Sequence, residues 1–188
     1  MTARMKKMDA LKIALDALSE HLVVVCNGMI GREVFSIEDR PQNFYMIGSM
    51  GIASSIGLGL AHAKPARKVA VIEGDGNTLM GLGNLAQIAA DAPKNFHHLC
   101  FDNGAHASTG DQKTISSKVA LEKIALASGY KSAFRATTTD ELKSMMKALV
   151  ASEGPSFLLA VVESGTVPGI PRIDIDPPEI TRRMKGAV

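Results

Sequence analysis

The chain has 188 residues, and its 21 Lys+Arg against 19 Asp+Glu leave a formal charge of +2. Hydrophobic residues make up 46% and charged residues 21%, the mixture of a soluble globular domain. That length suits one domain with a sizeable core, the charge is too small to argue for nucleic acid, and no apolar stretch approaches the roughly 20 residues of a membrane span.

The basic N-terminus, residues 1–8, is followed by no signal-peptide core. A helical pattern then covers 9–19, with apolar residues at Leu11, Ile13, Ala14, Leu15 and Leu18. Strand-like runs follow at 22–26, 44–47, 68–73, 99–101 and 157–162. Each is short and apolar without alternation, as strands buried on both faces of a parallel sheet read. Helical patterns at 52–63, 78–90, 117–127 and 139–152 lie between them. The last has Thr139 at its start but no full capping box. His97 and His98 precede the fourth strand and read as structural or exposed. The segment 167–178 holds Pro168, Pro171, Pro177 and Pro178, and predicts an extended, loosely attached tail over 167–188.

Strand and helix alternate, so the expected fold is α/β, with three α/β/α layers around a mostly parallel sheet. In such sheets ligands bind at the carboxyl ends of the strands. Cys26 and Cys100 sit in the strand-like runs and cannot form a cluster or a disulfide framework, so reduced thiols and a cytoplasmic setting are expected. Aromatics are only 4%, whereas Gly numbers 17, which suggests close approach of backbone to backbone or to ligand.

Three loops after strands carry the unusual chemistry. They are Asn27-Gly28-Met29-Ile30-Gly31, Gly48-Ser49-Met50-Gly51 and Gly74-Asp75-Gly76-Asn77. Glycines on both sides of Asp75 let backbone approach a ligand, and a following helix offers free amides to an anion. A carboxylate in the same space repels phosphate unless a cation lies between, so Asp75 suggests bridging magnesium. Gly-Asp-Gly is also a common turn. A second oxygen-rich loop, Asp102-Asn103-Gly104, begins 27 residues after Asp75, one helix plus one strand later. In a parallel sheet that spacing sets the two loops side by side. The loop continues through the polar stretch 105–113, which includes His106, Ser108 and Thr109.

Gly74-Asp75-Gly76 followed after 26 residues by Asn103 resembles the cofactor motif of thiamine diphosphate enzymes, with Asp102 where the family's first Asn stands. The resemblance spans about 22–162 and is to the diphosphate-binding domain alone. It implies that Asp75, Asn103 and the carbonyl of Ala105 bind Mg2+. Asn27, Gly28, Gly74, Gly76, Asn77 and Ser108 would line the rest of the cofactor site. Met50 would prop the cofactor in its bent form, with Gly48 and Ser49 beside it. His106 and Thr109 are the candidate catalytic residues in this chain. Arg32 and Lys113 are candidate anchors for a substrate acid group.

The stretch Phe44-Tyr45-Met46-Ile47-Gly48-Ser49-Met50-Gly51, the Asp102-Asn103-Gly104 loop and Ser108-Thr109-Gly110 are similar to the β subunits of sulfopyruvate decarboxylases and the matching part of phosphonopyruvate decarboxylases. That resemblance implies nonoxidative decarboxylation of a small anionic 2-oxo acid by thiamine diphosphate and Mg2+, with sulfopyruvate to sulfoacetaldehyde and carbon dioxide preferred and phosphonopyruvate the first alternative. The activating Glu would lie on the pyrimidine-binding domain of a separate α subunit, in a hetero-oligomer active only when assembled. The alternatives are another two-chain thiamine diphosphate enzyme, an oxidoreductase half or an acetolactate-synthase-like ligase, and a phosphate- or nucleotide-binding module without activity. Gly28 and Gly31 do not supply a dinucleotide-binding fingerprint.

Overall fold

A computed structural model describes residues 4–188; residues 1–3 of the basic N-terminal stretch lie outside it. The chain opens with α1 (Lys7–Ala17), β1 (Leu22–Val25), α2 (Met29–Ile37), β2 (Asn43–Tyr45) and α3 (Ala53–Ala63). It continues with β3 (Val69–Gly74), α4 (Asp75–Met80), α5 (Gly83–Asp91) and β4 (Phe96–Asp102). A two-stranded hairpin of β5 (Ala105–His106) and β6 (Gln112–Lys113) follows, then α6 (Leu121–Ser128), β7 (Ser132–Ala136), α7 (Thr139–Ala151), β8 (Ser156–Val161) and α8 (Pro177–Ala187).

Six strands form one sheet in the order β2-β1-β3-β4-β8-β7, every neighbouring pair parallel. Strands β1, β3, β4 and β8 are buried along their whole length, which is why they lack apolar/polar alternation, although β3 and β4 also bury Glu73, His97 and His98. Helices α1, α2 and α7 associate with one another or with the sheet as one layer, and α3, α5 and α6 as the other. The three-layer architecture expected from alternation is therefore the one observed. The core joins both layers, from Leu11, Leu15 and Leu18 of the first helical segment to Leu121 and Ala125 of α6.

Gly57 of α3 sets how closely that helix approaches the sheet. A Cβ there would lie 2.3 Å from Val71 Cγ2 and 3.1 Å from Phe96 Cε2. Small residues thus act here as backbone-to-sheet contacts, one of the two roles expected from the glycine content.

Several elements depart from the sequence reading. β7 was not expected: its residues are mostly half-exposed, and Phe134 is flanked by Ala133 and Arg135, so it lacks an apolar run. The helix expected over 78–90 is two helices, one starting at Asp75 itself and ending at the Gly81 cap, the other starting at Gly83. The helix expected over 117–127 is a 3-10 turn at Ser116–Lys118 followed by α6. α7 does have a full capping box, one residue earlier than the expected start: Glu141 N donates to Thr138 Oγ1, and the Glu141 carboxylate accepts from Thr138 N.

The tail expected to be extended over 167–188 is irregular only as far as Asp176. It then forms α8, whose first turn tolerates Pro177 because that position lacks an intrahelical N–H partner in any helix. Ile180 and Met184 are buried, and Arg183 Nη2 donates to both Asp39 oxygens at 2.9 and 3.0 Å, so the tail is docked. His97 and His98 lie within β4, fully buried. Cys26 and Cys100 are free and buried, and burial pushes both thiols up. No helix among the described residues is long and apolar enough to cross a membrane.

Candidate functional site

Register builds the site. Gly74 pairs with Phe101 across β3 and β4, so the residues that follow, Asp75 and Asp102-Asn103, emerge together at the carboxyl edge. β1 lies on the other side of β3, with Val25 opposite Ile72, and delivers Asn27 and Gly28 to the same edge. A narrow cleft of about 50 Å³ opens there. It is lined by Asn27, Gly28, Met50, Gly74, Asp75, Gly76, Asn77, Asn103, Ala105, His106 and Ser108 among others. Eleven of the positions expected from the sequence thus converge on one groove.

Five expected positions do not line it. Gly48 and Ser49 are exposed at the end of β2. Thr109 is exposed in the turn of the small hairpin, where its hydroxyl donates to Gln112 Oε1 at 2.8 Å. Lys113 is exposed on β6. Arg32 lies instead beside the groove, on α2.

Asp75 is the centre of the groove's electrostatics. It is 1% exposed. Burial pushes its carboxyl above the usual carboxylate range; Thr114 Oγ1, donating to Oδ2, pulls it back, and the charge of Asp102 pushes it up again. Asp102 is held by its own donors, Ser116 Oγ at 2.8 Å and Gly104 N at 3.0 Å. Thr114 Oγ1 lies 3.0 Å from Ser116 Oγ, so the two hydroxyls stand side by side between the two carboxylates. Asn103 Oδ1 accepts from Ala105 N at 3.2 Å, which curls the loop so that the Ala105 backbone borders the cleft. Across the groove, Asn77 Nδ2 donates to Asn27 Oδ1 at 2.9 Å.

Gly76 is the floor. A Cβ there would lie 2.7 Å from His106 Cε1 and Nδ1, and 3.0 Å from Met50 Cε. Any larger residue would drive His106 and Met50 apart, so Gly76 is fixed by close approach. At the far wall α2 begins: Gly28 is its N-cap at φ 89°, and Met29 and Ile30 border the cleft, so the positive end of this helix faces the groove.

Behind the groove is a buried polar network that the sequence reading missed. Glu73 is 1% exposed, one residue before Gly74. Its Oε1 accepts from Ser54 N in the first turn of α3 at 3.0 Å. Its Oε2 accepts from Thr78 Oγ1 at 3.3 Å and lies 3.1 Å from His98 Nε2. His98 Nδ1 is 3.1 Å from the Tyr130 hydroxyl. One carboxylate therefore ties the helix after the Met50 loop to the helix that carries Asp75. Thr114, Ser116 and Glu73 show no motif in the sequence; their roles exist only once β3, β4 and the 105–113 loop are side by side.

Lys7 was missed as well. It is 5% exposed, borders the groove, and places Nζ 2.9 Å from Glu33 Oε1 and 3.0 Å from the Gly165 carbonyl. The Glu33 contact acts through charge, because neither Glu33 oxygen has a well-aligned hydrogen-bond donor.

Comparison with known proteins shows the family. Residues 24–160 match the family described as thiamine pyrophosphate enzyme, C-terminal TPP binding domain. Phosphonopyruvate decarboxylase of Streptomyces viridochromogenes is 40% identical over 187 residues, which cover 99% of this chain and 47% of that protein. The chain therefore spans about half the length of that relative. Sulfopyruvate decarboxylase subunit beta of Methanococcus maripaludis is 36% identical over 182 residues, 97% of each chain. Benzoylformate decarboxylase from Polynucleobacter necessarius shares the fold, with a TM-score of 0.72 at 16% identity over 87% of this chain and 34% of that one. The family model covers most of the chain and the solved relative shares its fold: the chain belongs to the C-terminal TPP-binding domains of thiamine pyrophosphate enzymes.

Proposed function

We propose that this chain is the diphosphate-binding subunit of a thiamine diphosphate- and Mg2+-dependent decarboxylase of an acid-bearing 2-oxo acid. The preferred reaction is sulfopyruvate to sulfoacetaldehyde and carbon dioxide. The observation that carries the proposal is the Gly74–Phe101 register, which brings Asp75 and the Asn103 loop to one groove. Near-complete mutual coverage with a sulfopyruvate decarboxylase β subunit supports the subunit assignment and the sulfonate. The phosphonopyruvate reading is supported by the 40% identity to a longer decarboxylase.

The residues present fit the cofactor. Asp75 and Asp102 are two buried carboxyls whose mutual repulsion a cation relieves, and the groove offers the oxygen donors magnesium prefers. Asp75, the Asn103 amide oxygen and the Ala105 carbonyl would hold Mg2+. Asn77, with Asn27 and the first amides of α2, would receive the diphosphate. Thiamine diphosphate, when bound, supplies the electron sink for loss of carbon dioxide. The chain itself orients and excludes water: Met50 and His106 close over Gly76, and the Glu73 network fixes the helix after the Met50 loop against the helix that carries Asp75 and Gly76. Ser108, on the rim, would meet the diphosphate or the substrate. Gly48 and Ser49, exposed beside Met50, would meet the cofactor's pyrimidine end together with a partner.

The match over 97% of each chain to a protein named as a subunit beta supports completion by a second chain. That α subunit would carry the pyrimidine-binding domain and its activating Glu, in a cytoplasmic hetero-oligomer. The test mixes the chain with a candidate partner, thiamine diphosphate and Mg2+, and measures carbon dioxide release from sulfopyruvate and phosphonopyruvate. Activity is expected only in the mixture. Asp75→Ala should abolish it and also the cofactor-induced rise in melting temperature; retention of both would refute the metal assignment.

A further inference from the structure

We propose that the cleft beside the cofactor groove seats the substrate's sulfonate or phosphonate, and that Arg32 and Arg172 form its anion clamp. The inference rests on the decarboxylase reading above and adds the residues that select the second acid group. This cleft holds about 340 Å³, far roomier than the 50 Å³ groove, and it is continuous with that groove through Asn27, Gly28 and Ser108. A molecule reacting at the groove therefore has an adjoining space large enough to receive the remainder of a small 2-oxo acid.

The charge of this space is one-sided. Arg32 and Arg172 both line it, and no carboxylate does among the described residues. Neither guanidinium takes part in an ion pair there. Arg32 Nη1 has only Met29 Sδ, a weak acceptor, at 3.4 Å. Two unpartnered guanidiniums on one cleft repel each other unless an anion lies between them. A tetrahedral oxyanion with three oxygens matches their forked donors in shape and charge.

The two arms are separately anchored, which turns proximity into a site. Arg32 lies within α2, four residues after the Gly28 cap, and is half-buried. Arg172 is exposed, but its neighbour Ile173 seats against the same helix: Ile173 Cδ1 would be 3.7 Å from a Cβ on Gly31. The following α8 is pinned by Ile180, Met184 and the Arg183–Asp39 pair. The docked tail thus keeps Arg172 on the same cleft as Arg32. Lys113, the other cation considered, lies outside this cleft.

The test uses the reconstituted two-chain enzyme with thiamine diphosphate and Mg2+. One arm measures kcat/KM for sulfopyruvate, phosphonopyruvate and pyruvate, which lacks the second acid group. The other measures calorimetric binding of sulfoacetate and phosphonoacetate, unreactive carriers of the same groups. R32Q and R172Q are each expected to lower the preference for an acid-bearing substrate over pyruvate by about 10- to 100-fold, the loss of one charge-assisted pair. The Kd of the matching unreactive acid should weaken by the same factor, and the two acids distinguish sulfonate from phosphonate. An unchanged preference and an unchanged Kd would overturn the clamp. So would variants that instead weaken subunit association in sedimentation, since a partner carboxylate would then occupy the arginines. If the unaltered enzyme turns over none of the three acids, the decarboxylase reading fails. The binding arm still decides the clamp: acid binding lost in R32Q/R172Q supports it, and acid binding absent from the unaltered protein or retained in the double variant overturns it.

Discussion

Lys7→Met isolates the most consequential buried charge pair. Lys7 and Glu33 are 5% and 0% exposed with a 2.9 Å contact, and burial holds the Glu33 carboxyl above its usual range even though Lys7 pulls it down. Removing one partner of a buried pair costs about 3–5 kcal/mol. Water in the cleft bordered by Glu33 softens that, so about 3 kcal/mol is expected here. Loss of the hydrogen bond to the Gly165 carbonyl adds about 1 kcal/mol. The first contribution depends on pH and the second does not. A raised carboxyl gives stability that is fully present below its unfolded value near 4.5 and is lost as pH rises through the folded value. The deficit of Lys7→Met should therefore be about 4 kcal/mol at pH 8 and shrink toward about 1 kcal/mol near pH 4.5. Urea unfolding of the native, Lys7→Met and Lys7→Met/Glu33→Leu proteins from pH 4.5 to 8 checks this, and the double variant should recover most of the loss at pH 8. A deficit independent of pH, or a double variant no more stable than the single one, would refute the reasoning.

Three further outcomes follow from other contacts. Burial lowers His21 to about 3 and His97 to about 4, so both are neutral in the fold and their stabilisation, present above pH 6.5, is lost as pH falls toward those values. His21→Phe removes two ring nitrogens that have no partner, and the variant should resist acid unfolding better than the native protein in a pH titration followed by circular dichroism. Gly57→Ala should destabilise by about 1–3 kcal/mol in urea melts, despite better helix propensity, because its Cβ would lie 2.3 Å from Val71 Cγ2. Thr138→Ala should cost about 1 kcal/mol in the same melts through loss of the α7 cap.

What the sequence revealed and what it hid follow from how each feature is encoded. The groove was legible because its chemistry sits in contiguous loops and because a parallel sheet converts a 27-residue offset into adjacency, as the Gly74–Phe101 pair bears out. β7 was not legible because an edge strand needs no apolar run; Ser132 to Arg135 are only partly covered. The split between α4 and α5 was hidden because the apolar spacing runs through Gly81 and Leu82 without a gap. The docking of the tail was hidden because prolines report local extension, whereas the seat of α8 depends on Asp39, 144 residues away from Arg183. The low aromatic content has a partial account: the rings present are concentrated, with His98, Tyr130 and Phe157 packed edge to face or tilted in one cluster.

The position of α8 has a consequence for the behaviour of the protein in solution. An open sheet has two edge strands whose unpaired amides and carbonyls invite another chain to add on. Here α8 packs against β2, the short strand at one edge, while at the other edge β7 carries the charged Arg135 beside Glu122. One margin is shielded by a covering helix and the other by charge. Cutting the chain after Asp176 would bare the first margin, and self-association through strand pairing would begin there.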